Sequence, residues 1–209
     1  MSWYLDNVYE LNKEFPYTFQ RPSEEVLSWL EIGDLVKLIF VANEAEEGEF
    51  GAERMWVEIT EIDGSRFTGT LNNEPYSLPI EVGERVSFGY ENICDTEYED
   101  PHIDDKDIYF DTLVTVSNDV LERKEFNFML RDNSTEDGDS GWAILSGYEE
   151  EDFLSDLENF QIIAVAVILN MDDSILEFLE KPPLCAYERN DKGEFAEIED
   201  YDWEGYFEE

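Results

Sequence analysis

The sequence predicts an α+β protein of two small domains. The first is an N-terminal, strongly bent antiparallel β-sheet or partial barrel with a leading helix; the second is a C-terminal α+β domain with a mostly antiparallel sheet. Three observations predict this. Residues 35–90 hold several short runs of alternating apolar character, divided by Gly, Asn, Asp and Pro, as in the closely spaced strands of a curved sheet. Residues 94–111 turn acidic around Pro101, as at a domain boundary. Beyond them, strand-like runs alternate with helix-start signals. The expected division is an N-terminal segment and helix at 1–31, a β-domain at 32–93, an acidic linker at 94–111 and an α+β domain at 112–209.

Residues 1–20 are polar and aromatic without clear period, so no element is assigned there. Pro22-Ser23-Glu24-Glu25 reads as a helix start: Ser23 can cap, two acids fill the first turn, and Val26, Leu27 and Leu30 share a face. Gly33 ends that helix, and a β region begins with residues 35–41. Residues 55–62 set Val57 and Ile59 opposite Glu58 and Thr60 and run into Asp63-Gly64, a hairpin signal. The return strand at 66–71 puts Phe67, Gly69 and Leu71 on one face. Asn72-Asn73-Glu74-Pro75 makes another turn, and a last strand follows at 85–90.

In the second half, a strand at 113–117 and a short turn or helix at 118–124 lead to the central stretch. Apolar residues 126–130 reach Arg131, break into a polar turn at 132–139 and resume in a run headed by Trp142. This reads as two strands joined by an acidic loop. Glu149, Glu150, Glu151 and Asp152 follow where a helix would begin, its positive end favouring acids. The longest apolar run, 162–169, is short and rich in Val and Ile, which predicts a buried central strand. Asp172 or Asp173 can cap a helix carrying Ile175, Leu176 and Leu179, which Pro182-Pro183 must stop. A final hairpin, 184–189 with 194–198, turns through Asn190-Asp191-Lys192-Gly193, and the acidic, aromatic end at 199–209 either docks or frays.

Thirteen basic residues against fifty-four acidic ones give a formal charge of −41, with 42% apolar and 14% aromatic residues. Apolar side chains that plentiful exclude a disordered acidic tail, so the acid coats a folded interior. Such a surface disfavours direct contact with nucleic acid or an anionic membrane. It favours a basic protein partner, drawn in by complementary fields; a generally acidic proteome would leave the surplus as a solvated coat. No stretch approaches the ~20 apolar residues of a membrane span, and the first residues lack the basic segment and apolar core of a secretory leader. Cys94 and Cys185 fall in different expected domains, which favours reduced thiols. Together these predict a soluble, cytoplasmic protein.

No catalytic residue, cofactor or metal site is assigned. Gly138-Asp139-Ser140-Gly141 matches the tetrapeptide around the nucleophile of trypsin-like serine proteases, but that serine needs a histidine base oriented by a carboxylate. His102, the sole histidine, lies in the acidic linker. Residues 132–139 are rich in oxygen donors, yet setting Gly138 at the glycine of an EF-hand loop puts Ile144 where a bidentate Glu belongs. Only a weak, incidental divalent site stays open there. One histidine and two distant cysteines make no zinc set, and phosphate-cradling glycine loops are absent. What stands out is the interleaving of acids with aromatics from Tyr148 to Phe153 and in Tyr201-Asp202-Trp203-Glu204-Gly205-Tyr206-Phe207. Aromatic anchors set in steering charge suit a protein interface. The expected partner-binding residues are Glu149, Glu150, Glu151, Asp152, Trp203 and Tyr206; for Trp142 and Phe153 core burial competes.

Phe128-Met129-Leu130-Arg131, Asp139-Ser140-Gly141-Trp142, Leu145-Ser146-Gly147, the acids from Glu149 to Asp152, Asn159, Asn170 and Ala186-Tyr187-Glu188-Arg189 together resemble the bacterial immunity-protein family thirty-three. The resemblance runs over roughly residues 113–198, with Ser140, Gly141, Trp142, Leu145 and Gly147 as its motif positions. It implies an α+β domain belonging to bacterial polymorphic-toxin systems. Gly33-Asp34-Leu35-Val36-Lys37-Leu38, Met55-Trp56-Val57-Glu58, Gly69-Thr70-Leu71-Asn72-Asn73-Glu74-Pro75 and Gly83-Glu84-Arg85-Val86 resemble the domain-of-unknown-function family 2314 over residues 32–93, which implies no activity. The expected function is therefore that of a non-enzymatic immunity protein, binding and blocking a basic cognate toxin. Two other classes stay open: a nucleic-acid mimic that occludes a DNA-binding protein, and a small-molecule-binding protein, which needs a formed pocket with convergent polar groups.

Overall fold

The computed structural model describes residues 3–44, 51–102, 107–134 and 138–207. The chain divides into two compact units, Met1–Asp104 and Asp105–Glu209, each built on its own sheet.

The first unit contains β1 (Trp3–Leu5), α1 (Val8–Glu14), α2 (Glu24–Leu27), β2 (Leu35–Ala42), β3 (Ala52–Asp63), β4 (Arg66–Leu71), β5 (Arg85–Gly89) and β6 (Ile93–Thr96). The strands run in the order β1-β2-β3-β4-β5, and β6 also pairs with β2; every pairing is antiparallel. β1 and β6 share one edge of β2, and β5 passes through a 3-10 turn at Tyr90–Asn92 directly into β6. The sheet is thereby nearly closed, the partial barrel that the spacing predicts. Alternation drives the closure: Val36, Leu38, Phe40, Met55, Val57, Ile59, Phe67, Leu71, Val86 and Phe88 point into one apolar core, while Glu58 and Thr60 point out. Gly64 turns the predicted hairpin at φ +62. Gly69 lets β4 lie so close to β3 that a Cβ there would come within 2.6 Å of the Glu58 carbonyl oxygen.

Residues 1–20, without a readable period, nevertheless hold β1 and α1. β1 forms because β2 offers it an edge, which is tertiary information. The Asn7 side chain caps α1 by accepting from the N–H groups of Tyr9 and Glu10, and Val8 packs with Phe19, Ile39 and Cys94 in a second small cluster. α2 starts at Ser23 as expected, its Oγ accepting the Val26 N–H at 3.3 Å, but lasts one turn. The acidic stretch at 94–111 is structured where it is described. β6 reaches Thr96, and the Asp100 carboxylate accepts the N–H groups of Ser23 at 2.6 Å and His102 at 2.9 Å.

The second unit contains α3 (Asp107–Asp111), β7 (Leu113–Ser117), α4 (Asn118–Arg123), β8 (Phe128–Arg131), β9 (Asp139–Leu145), α5 (Glu151–Leu154), β10 (Phe160–Ala164), α6 (Val165–Met171), β11 (Cys185–Arg189), β12 (Phe195–Glu197) and α7 (Trp203–Tyr206). Its strand order is β10-β7-β9-β8-β11-β12, antiparallel except between β7 and β9. The mostly antiparallel sheet, the β8–β9 pair and the final hairpin agree with expectation. The reading of 162–169 as one buried central strand does not. β10 is an edge strand with Ile162 67% exposed, and the chain turns at Ala164 into helix α6. Val165, Ala166, Ile168 and Leu169 are buried at helical spacing, and so short an apolar run fits either period. The expected helix after Asp172 is a 3-10 segment, Asp173–Phe178, capped by the Asp172 side chain on the Ser174 N–H.

Candidate functional site

The motif residues of the second unit organise its sheet. Between Leu113–Asp139 and Thr115–Ala143 the β7–β9 register shifts, and Ser140-Gly141 occupies that irregularity. Ser140 Oγ donates to the Leu113 carbonyl at 2.6 Å, so the hydroxyl ties the two strands together. Gly141 stands at φ +76, where a Cβ would overlap the Asp132 carbonyl oxygen. Trp142 is 2% exposed and its Nε1 donates to the Leu179 carbonyl at 3.4 Å. Arg131 donates to the carbonyls of Ser140 at 2.9 Å, Leu179 at 3.0 Å and Lys181, fastening the chain after the 3-10 segment to the sheet. Leu145 is half-buried opposite Phe128. Arg189 binds the carboxylate of Asp172 at 2.7 Å and the carbonyl of Phe126 at 3.3 Å. Each of these side chains or turns is engaged in holding the sheet of the second unit together.

The turn after β9 presents the predicted acids. Ser146, fully buried, donates its Oγ to Asp119 at 2.6 Å, and Arg123 Nε donates to the same Asp119 oxygen at 2.6 Å. Gly147 turns at φ +85 beside Asn127. Glu149 then folds back: its carboxylate accepts from Ser117 Oγ, from Ser146 N–H at 2.7 Å and from Gly147 N–H at 2.9 Å. Burial would raise its pKa, but the Ser117 hydroxyl and the Ser146 N–H outweigh burial and hold it below the ordinary carboxylate value. Glu149 is therefore an internal clamp, whereas Glu150, Glu151 and Asp152 stand exposed at the start of α5. Beside them Tyr148 is 57% exposed, with the Arg123 guanidinium 4.9 Å over its ring. Tyr148, Arg123, Glu150, Asp152 and Phe153 line an open cleft of about 410 Å3. Asn159 Nδ2 donates to the Phe153 carbonyl at 2.9 Å and anchors the far end of this turn. Leu154, Leu157 and Ile162 follow, all exposed, and among the described residues β10 pairs with β7 alone.

The acidic, aromatic end docks rather than frays through Phe207. Asp202 caps α7 on the Gly205 N–H at 3.0 Å; Trp203 lies 4.7 Å from Tyr201, which lies 6.0 Å from Phe128 on β8. Tyr206 stays partly exposed, 5.6 Å from Trp203, its hydroxyl pKa raised by burial and by Asp132. The ring contacts of Trp203 and Tyr206 are with Tyr201, Phe207 and each other, not with the turn at Glu150–Asp152.

His102 Nε2 meets Glu25 in the first unit at 2.6 Å, and this partner raises its pKa. The oxygen-rich loop at 132–139 includes residues 135–137, which lie outside the described residues. Among the described residues, no group of three His, Cys, Asp or Glu side chains is placed to hold a metal ion, and no helix is long and apolar enough to cross a membrane. Cys94 and Cys185 are free and buried. Burial pushes the Cys94 thiol up to about 11, which makes it a poor nucleophile. Sequence reasoning missed a pocket of about 230 Å3 in the first unit, where Arg21, Lys37 and Arg54 converge. They lie far apart in sequence and carry no motif.

Comparison with known families gives two matches. Residues 114–199 match the model described as the Immunity protein Imm33 domain. Residues 1–105 match that of an uncharacterized protein conserved in bacteria, DUF2314. The latter begins well ahead of residue 32 and ends beyond residue 93, in keeping with β1, α1, α2 and the Asp100 contacts all belonging to the first unit. No curated protein and no solved structure matches.

Proposed function

The chain belongs to the bacterial family DUF2314 and carries an Imm33 immunity-protein domain, and from that premise we propose that it neutralises a basic protein toxin by binding it directly. The observation that carries the reading is the division of labour among the acids after β9. Glu149 is held inside, and in holding the turn it fixes Glu150, Glu151 and Asp152 outward, beside exposed Tyr148, Leu154 and Leu157. An aromatic and apolar centre with a charged rim is the make-up of a specific protein interface. The open edge of β10 lies in the same part of the chain, ready to take a partner's strand. Trp203 and Tyr206 form a second, separate contact surface. The protein performs no bond chemistry in this reading; it occludes the toxin's active site or an adjoining surface.

At −41 the chain attracts a cationic partner from beyond contact distance, raising the association rate by roughly 10- to 1,000-fold at low salt. Co-expression with the toxins encoded beside the gene tests the proposal. One toxin should be bound and neutralised, with an association rate that falls steeply between low and physiological salt. Failure of every neighbouring toxin to bind, or capture of assorted DNA-binding proteins in its place, would reject toxin immunity; the second outcome would instead support nucleic-acid mimicry.

A further inference from the structure

The chain has only thirteen Lys and Arg residues, and three of them line one pocket of the first unit. Arg21, Lys37 and Arg54 surround about 230 Å3 with Asp95, Tyr98 and Asp100. The sheet register explains two of them. Lys37 pairs with Trp56 and Ile39 with Arg54 across β2 and β3, so these four share the face opposite Leu38 and Met55, which enter the core. Arg21 is supplied by the segment before α2, its guanidinium 4.1 Å over the Tyr9 ring and 3.2 Å from Glu24.

The two acids of the pocket are already engaged. Asp95 holds Lys37 Nζ at 2.6 Å, and Asp100 accepts the N–H groups of Ser23 and His102. Arg54 differs from both other cations. Its guanidinium lies 5.6 Å over the Phe19 ring, and among the described residues no carboxylate or carbonyl accepts from it. An exposed arginine fork over an aromatic ring, with two further cations at the same opening, is a receptor for a planar or tetrahedral oxyanion. The negative charge of the rest of the chain does not cancel this, because at physiological ionic strength fields fade beyond about 8 Å.

We propose that this pocket binds a small oxyanion, a phosphate or carboxylate group carried by a small molecule, with Arg54 as the principal donor and Lys37 and Arg21 at its sides. The proposal is independent of toxin binding, which rests on the second unit. It is tested by isothermal titration of the full chain with inorganic phosphate and, separately, citrate, at ionic strength held constant with sodium chloride. Saturable binding of at least one is expected; the tighter of the two identifies the group. Arg54→Gln should weaken it by about ten-fold or more, the loss of a charge-assisted hydrogen bond. Arg66→Gln, which removes an exposed cation paired with Glu91 outside the pocket, should leave it unchanged. Arg54 is exposed, so its variant keeps the core, and circular dichroism will verify that. Absence of saturable binding of both anions, or equal weakening by the two variants, overturns the proposal.

Discussion

Glu53 and Glu149 perform the same task in the two units, in different surroundings. Glu53, on β3, accepts the N–H groups of Tyr76, Ser77 and Leu78 at 2.7, 2.8 and 2.9 Å and so gathers the loop before β5. Glu149 gathers Ser146, Gly147 and Ser117 after β9. In both, a carboxylate fills a nest of backbone donors that would otherwise lack acceptors. The donors differ. Ser117 and Ser146 are fully buried, while Tyr76 is 81% exposed. Water can reach the exposed Tyr76 and Gly147 ends of the two nests, but it reaches fully buried Ser117 and Ser146 only by opening the sheet. One residue type in one role thus carries unequal weight, set by solvent access.

The largest expected effect bypasses the carboxylates. Gly141→Val should destabilise the second unit by about 3 kcal/mol or more, from positive φ and from overlap with the Asp132 carbonyl. Loss of the near-ultraviolet signal of buried Trp142 will report it, and a stable Gly141→Val protein would show that the β7–β9 irregularity can be rebuilt. Next, Glu149→Ala should cost about 2–3 kcal/mol and Glu53→Ala about 1 kcal/mol, because the former strands donors on two fully buried residues, Ser117 and Ser146, and the latter on one buried residue, Leu78, beside exposed Tyr76. Urea unfolding of each variant measures this; equal losses would show that solvent access does not set the weight of the two carboxylates.

Acid provides a third test. For Glu53, burial raises the pKa, but the N–H groups of Tyr76, Ser77 and Leu78 outweigh it and the net direction is down, as for Glu149. A depressed folded pKa adds stability above the ordinary value of 4.5, and that stability is lost as pH falls from there through the depressed value. Glu149→Gln and Glu53→Gln should therefore each flatten the fall in stability below about pH 4.5. Unfolding midpoints measured from pH 6 to pH 3 will show it. The smallest effect concerns stability at the surface. Replacing Glu150, Glu151 and Asp152 together by their amides should move stability by only about 0.5 kcal/mol while, if the proposed toxin is the partner, slowing association with it by about ten-fold at low salt. An unchanged rate would remove this turn from the contact surface.

Much of this arrangement was legible along the chain. The Asp63-Gly64 hairpin, the alternation of β3 and β4, the Ser23 cap and the strand pair around the acidic loop are local signals, and each formed where its residues indicated. What was missed depended on distant partners. β1 has no period of its own and exists because β2 gives it an edge. The run at 162–169 divides at Ala164 between strand and helix because its first part has β7 to pair with, while Val165 to Leu169 turn an apolar helical face inward. Glu149 reads in sequence as one of four equal acids; the N–H groups of Ser146 and Gly147 and the placement of Ser117, 32 residues earlier, separate it from the others.

By itself the sequence determined the class of fold, the apolar interior under an acidic coat, and the family resemblances now matched over residues 1–105 and 114–199. These are properties of composition, periodicity and short motifs, which the chain carries before it folds. The tertiary structure decided which of fifty-four acids are internal clamps and which face outward, and it brought Arg21, Lys37 and Arg54 to one opening. The physical reason is that the role of a charge depends on its distance from donors, counter-charges and water, and those distances are set only when strands far apart in sequence lie side by side.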